Sequence, residues 1–117
     1  MRIGWRPVRD ERGSGTVLGV GVIAAILTVT AAAVPALGLL VARGQAAGAA
    51  DAAALAGADV ASGAIAGSIC DAARSVASAN LATLGDCVVD GQSITVSATV
   101  DWLGVGIVAR SRAGPPQ

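Results

Sequence analysis

Hydrophobic residues are concentrated early in the chain, in a run without a charged side chain from Gly13 to Ala42 that lies between Arg12 and Arg43. The hydrocarbon core of a bilayer is about 30 Å thick and takes about 20 apolar residues of helix to cross. The run is longer than that, and the remaining chain is too short and too polar to bury it. We therefore predict a transmembrane helix over residues 13–42.

Small residues replace large ones after this run. Alanine fills most positions of residues 44–66 and has the highest helix propensity of all residues. We expect the membrane helix to continue outward as an Ala-rich helix whose small surface suits close packing against other helices. Gly63 and Gly67 predict a break at its end.

A second, shorter helix is predicted after the break. Ser68 has the character of an N-cap, with Asp71 three residues later as in a capping box. Gly85 is placed to end the helix, which would then cover residues 68–84. Apolar residues recur at helical spacing in this segment, at Ile69, Ala73, Val76, Ala77, Leu81 and Leu84.

The strongest β pattern follows at Asp90-Gly91, a dipeptide typical of two-residue hairpin turns. Polar and apolar residues alternate after it, which predicts a strand with one apolar face. A turn at this dipeptide would pair Cys87 with Ile94 and direct Cys87 toward the helix of residues 68–84. The alternating apolar positions are Ile94, Val96, Ala98, Val100 and Trp102.

The predicted fold class is α+β: a long N-terminal transmembrane helix extended by an Ala-rich helix, then a short amphipathic helix packed on a small β-hairpin. Residues 103–109 are either a further strand or a fold-back. The chain then divides into a cytoplasmic basic lead, a transmembrane helix, a small extracytoplasmic α+β domain and a disordered tail, at residues 1–12, 13–42, 43–109 and 110–117.

The charges are distributed unevenly around the apolar run. Four arginines and two acidic residues precede it, whereas four arginines and six aspartates follow it. Basic flanks stay in the cytoplasm, so we expect a single-pass cell-membrane protein with its N-terminus inside and its C-terminal domain outside. The exported part is mildly acidic, which argues against a nucleic-acid partner.

Cys70 and Cys87 form an even pair in a small exported domain, which favours a disulfide; two free buried thiols are the alternative. A bond would close a loop of about 17 residues and contribute ~3 kcal/mol. Pro35 predicts a kink in the membrane helix. Two glycine pairs with the spacing that lets membrane helices approach closely are Gly15 with Gly19 and Gly44 with Gly48.

The chain contains no histidine and no lysine, so a Ser-His or Cys-His pair, a Schiff base and a P-loop are all excluded. The six exported aspartates are scattered and do not have the spacing of a calcium loop. We predict that the protein is not an enzyme and has no catalytic or metal site, no cofactor and no small-molecule substrate.

Two segments resemble the TadE-like proteins, pilin-like components of the Flp (tight-adherence) pilus machinery. One is Arg12-Gly13-Ser14-Gly15-Thr16-Val17 at the start of the apolar run, and the other is the Asp51-Ala52-Ala53-Ala54-Leu55-Ala56 stretch after it. The two later cysteines and the Ala113-Gly114-Pro115 ending are similar to a short actinobacterial branch found near secretion and helicase genes.

The resemblance implies cleavage by a prepilin peptidase between Gly13 and Ser14. Leu18 occupies the position where pilins usually carry a glutamate. The implied partners are membrane lipid and other pilin-like or secretion-system membrane proteins, and the implied function is that of a structural component of a Flp/Tad-type pilus or secretion assembly acting by helix packing. The alternative is a secreted binding protein or effector released by signal peptidase, for which Ala-rich sites exist at residues 31–33 and 42–47.

Overall fold

The computed structural model describes the backbone of residues 2–116 and the side chains of residues 13–116. The three strands form one antiparallel sheet in the order β1-β2-β3, so the α+β fold class is confirmed. The elements in chain order are α1 (Arg2–Ala61), α2 (Ile69–Ala79), β1 (Thr83–Asp90), β2 (Ser93–Trp102) and β3 (Val105–Ala113).

The chain divides into two compact units, Met1–Leu37 and Gly38–Gln117. The first is helical, and its side chains from residue 13 onward are exposed. The side chains of the basic lead, residues 1–12, lie outside the described part. The second unit contains the rest of α1, together with α2 and the sheet.

Helix α1 continues past Arg43 to Ala61, as the alanine content predicts. It passes through Pro35 without a break, although proline removes one backbone hydrogen bond from the helix. The predicted break after it is confirmed, because Gly63 and Gly67 have φ values of +83° and +138° that favour glycine.

The core of the second unit lies between the two helices and one face of the sheet. Its helical side is made of alanines, and its largest fully buried side chains are Ile94 and Val96 of β2. Small side chains on the helices bring the helical backbone close to these residues, and so the domain is built on few large apolar groups. The buried helical alanines are Ala42, Ala46, Ala49, Ala50, Ala53, Ala54, Ala73 and Ala77.

The sheet has a third strand in addition to the predicted hairpin, so of the two alternatives for residues 103–109 the further strand is confirmed from Val105 onward. Residues 110–113 belong to β3, so the prediction of a disordered tail from Arg110 is wrong for these residues. They pair with β2 from Ile94↔Ala113 through Ser97↔Arg110. Alternate β3 residues thereby face the core, which is why the strand continues to Ala113.

Helix α2 ends at Ala79, earlier than predicted. The Asn80 side chain donates to the Val76 carbonyl at 2.8 Å, and Leu81 adopts φ +59°. Leu81 N–H donates to the Ser78 carbonyl while Ala82 N–H donates to Ala77, the paired bonds of a Schellman ending.

Gly85 therefore does not end α2 but lies in β1, where the register with β2 shifts between Leu84 and Cys87. This β-bulge allows both Leu84 and Cys87 to face the core. The buried Ser97 hydroxyl accepts a hydrogen bond from the Asp86 N–H at 2.7 Å, so the bulge is closed by a side chain of the neighbouring strand.

Candidate functional site

The apolar surface of α1 is the first feature that bears on function. From residue 13 to residue 37 every side chain is exposed, including large ones such as Val17, Leu18 and Leu27. The helix from Gly13 to Ala61 is long and apolar enough to cross a membrane, and none of its most apolar stretch is covered by the chain itself. In water such a surface would be unfavourable, because each large side chain forgoes about 1.5–3 kcal/mol of burial.

The glycines predicted to pack helices face away from their own chain. A Cβ added at Gly15, Gly19, Gly44 or Gly48 would meet no atom within 4 Å. Gly44 and Gly48 lie on the side of α1 opposite its buried alanines. These four positions leave flat strips of backbone open to a partner, and their packing role stays a prediction.

Two other glycines of α1 lie close to side chains of the domain. A Cβ at Gly38 would lie 2.9 Å from Cζ2 of Trp102, and one at Gly57 would overlap Cδ1 of Ile94 and lie 3.3 Å from Cγ2 of Ile69. Sequence reasoning missed both, because their spacing along α1 matches no packing motif. Their separation of 19 residues does not identify them either, because Gly19 and Gly38 have the same separation.

The disulfide between Cys70 and Cys87 is present, with Cα atoms 6.0 Å apart. It joins the first turn of α2 to β1. The predicted partner of Cys87 across the hairpin was wrong by two residues, since Cys87 pairs with Val96 and not with Ile94. A shift of two preserves the face on which each side chain lies, so Cys87 still points toward α2.

The predicted helix-capping residues and the predicted cleavage residues lie on the surface or make few contacts. Ser68 is the N-cap of α2 but makes no side-chain cap hydrogen bond, so the capping box with Asp71 is absent; Asp71 instead pairs with Arg74 at 2.9 Å. Gly13 and Ser14 are both exposed and lie within α1.

Among the described residues no group of three or more acidic or cysteine side chains is arranged to hold a metal ion. The outer face of the sheet carries an exposed ion pair between Arg110 and Asp86 at 3.1 Å. The most prominent exposed surface of the described residues is the apolar one of α1. Comparison of the chain with protein-family models, curated proteins and solved structures finds no match.

Proposed function

We propose that the protein is a single-pass, TadE-like membrane protein that serves as a non-enzymatic structural component of a Flp/Tad-type pilus or secretion assembly. The observation that carries the proposal is the change in exposure along α1. Residues 13–37 expose large apolar side chains, whereas residues 42–54 bury alanines against α2 and the sheet. In this proposal the first part of α1 faces lipid, and its later part forms one side of the core of a small folded domain.

Association by helix packing is the mechanism of this proposal. Gly15 and Gly19 are four residues apart, so they lie on one side of α1 and permit a second helix to approach its backbone. The partners are membrane lipid and other pilin-like or secretion-system membrane proteins. The N-terminus lies in the cytoplasm and the disulfide-linked domain outside, where oxidising conditions maintain the bond.

Two buried alanines argue against release by a cut at residues 42–47, the later of the two Ala-rich sites. Ala42 and Ala46 are 3% and 0% exposed within the domain. A cut between residues 42 and 47 would remove Gly38, against which Trp102 packs, whereas a cut at residues 31–33 would leave residues 38–117 whole.

Carbonate extraction of the expressing membranes, followed by N-terminal sequencing, tests the proposal. We expect the protein to remain in the membrane pellet, with a start at Ser14 if a prepilin peptidase processes it or at Met1 if it is a plain anchor. Release into the carbonate supernatant, or a start between residues 32 and 48, would overturn the anchored function.

Helix association is tested separately with a photo-crosslinking residue at position 18. We expect adducts with a second copy or another membrane protein to be lost when Gly15 and Gly19 are both changed to Leu. Gly21→Leu is the matched control, because Gly21 is equally open but lies on a different side of α1. Equal crosslinking in all variants would refute packing at this glycine pair.

A further inference from the structure

Strand β2 runs back along α1 and contacts it near both ends. Ile94 lies against Gly57, and Trp102 lies against Gly38. The helix between these glycines is about 28 Å long at about 1.5 Å per residue. The strand between the two side chains is about 26 Å long at about 3.3 Å per residue. The turn after Trp102 is therefore held beside residue 38.

Residue 38 belongs to the uncharged run, and Arg43 follows about 7 Å later along the helix axis. The whole run from Gly13 to Ala42 is about 45 Å long, which matches a bilayer with both headgroup layers, about 40–45 Å. If the run crosses a bilayer, residues 38–42 lie in the outer interfacial layer, and the β2–β3 turn lies there with them.

The residues of this turn suit lipid better than water. Leu103 and Gly104 have φ values of +48° and +80° between the paired residues Trp102 and Val105, as in a type I′ turn. Asn-Gly is the favoured sequence for that turn, since a left-handed backbone strains a side chain such as leucine. Leu103 is nevertheless present and 78% exposed.

A second leucine repeats this combination at the same end of the sheet. Leu81 has φ +59° at the end of α2, where glycine is usual, and is 81% exposed. Leu81 lies two residues before Thr83, the first residue of β1. Thr83 pairs with Thr99, three residues before Trp102, so Leu81 lies near the same end of the sheet as the β2–β3 turn. These two leucines have the highest exposed fractions among the large apolar side chains of residues 13–116.

The turn at the opposite end of the sheet has the composition expected in water. Asp90 and Ser93 pair across Gly91 and Gln92, and Gly91 supplies the positive φ of +63°. Left-handed backbone strain and exposed leucine side chains thus occur together at the end of the sheet near Gly38. The turn at the other end is polar and has glycine at its left-handed position.

We propose that the β2–β3 turn, with Leu103 at its tip and Trp102 behind it, inserts into the headgroup–acyl boundary of the bilayer that α1 spans. The inference rests on the proposed membrane-spanning function of α1. Tryptophan favours this layer because its ring is apolar and its N–H is polar. Lipid is the occupant because Trp102 lies against Gly38 within the uncharged run of α1, and Val41, about 60° from Gly38 around the helix, is 70% exposed.

Depth-dependent fluorescence quenching tests the insertion. The full-length protein carries Trp5→Phe, so that Trp102 is the only tryptophan, and is reconstituted in phosphatidylcholine–phosphatidylglycerol vesicles. We expect lipids brominated high on the acyl chain to quench Trp102 strongly, lipids brominated near the chain end to quench it less, and aqueous acrylamide to quench it weakly.

Leu103→Asn removes the apolar tip while supplying a residue that the turn prefers, so folding is retained. We expect shallow-bromine quenching of Trp102 to fall at least twofold and acrylamide quenching to rise. The matched control is Ile65→Asn, which changes an exposed apolar residue (54% exposed) in the loop between α1 and α2 and is expected to alter neither value.

The outcomes separate this inference from the function on which it rests. If the wild-type protein resists carbonate extraction but acrylamide quenches Trp102 and brominated lipids do not, the insertion is refuted and the membrane anchor stands. If carbonate releases the protein, both fail. If neither quencher reaches Trp102, protein rather than lipid covers the turn, and the insertion is again refuted.

Discussion

The substitution Gly57→Ala measures how closely the Ala-rich part of α1 packs against the sheet. Alanine is favoured over glycine within a helix by about 0.5–1 kcal/mol. At residue 57, however, the new methyl group would overlap Cδ1 of Ile94, a side chain with no exposed surface. Overpacking of a filled core costs about 1–3 kcal/mol. The difference is a net destabilisation of up to about 2.5 kcal/mol, and we expect about 1 kcal/mol.

Gly48→Ala provides the matched control, because it makes the same chemical change in the same helix where nothing lies within 4 Å. The helical gain is then unopposed, and we expect stabilisation by about 0.5–1 kcal/mol. The two substitutions should thus change the free energy of unfolding in opposite directions, although propensity alone gives them the same sign.

Urea unfolding of the full chain in detergent micelles, with the disulfide intact, measures both values. Trp102 fluorescence in the Trp5→Phe background reports the domain, because Trp102 packs against α1. Ile94→Val removes the Cδ1 methyl group that the new alanine would overlap. On its own, Ile94→Val usually lowers the free energy of unfolding by about 0.5–1.5 kcal/mol. In combination with Gly57→Ala this loss should become smaller or change sign. Equal stabilisation by Gly57→Ala and Gly48→Ala would refute the close approach of helix and sheet.

Three further predictions concern the rest of the domain. Replacing Cys70 and Cys87 together with alanine should lower the free energy of unfolding by about 3 kcal/mol, measured by urea titration, with the wild type under reductant giving the same loss. Ser97→Ala should cost about 1 kcal/mol in the same titration because the part-buried Asp86 N–H in the bulge loses its acceptor, whereas Ser78→Ala on the exposed side of α2 should cost nothing. Leu81→Gly should raise the unfolding midpoint in micelles by relieving about 1 kcal/mol of left-handed strain; an unchanged midpoint would contradict that strain.

The features that depend on local pattern were predicted from the sequence. The uncharged run, the alanine content and the break at Gly63 defined α1 and its end, and the even cysteine pair indicated the disulfide. The face of β2 that enters the core was also predicted correctly. Although the hairpin register was wrong by two residues, alternation has a period of two and is unchanged by such a shift.

What the sequence did not reveal depends on tertiary contacts. The last strand was missed beyond Ala109 because its core-facing residues are small and Arg110 and Arg112 gave it the character of a tail. The end of α2 was placed too late because Leu84 continues the helical period, while the cap by Asn80 is a three-dimensional feature. The closeness of Trp102 to Gly38 could not be anticipated, since it requires β2 to lie antiparallel to α1 and to match its length.

The contacts at Gly38 and Gly57 make the lengths of α1 and β2 mutually dependent. Adding one residue to the helix between them would turn its earlier part by about 100° relative to the later part and lengthen it by about 1.5 Å, so that Trp102 would meet a different side of the helix. Adding one residue to the strand would instead lengthen it by about 3.3 Å and reverse the facing of every residue beyond the insertion. Neither change compensates for the other. We therefore expect evolution to exclude single-residue insertions from these two segments, whereas insertions at the Gly91 turn should be tolerated.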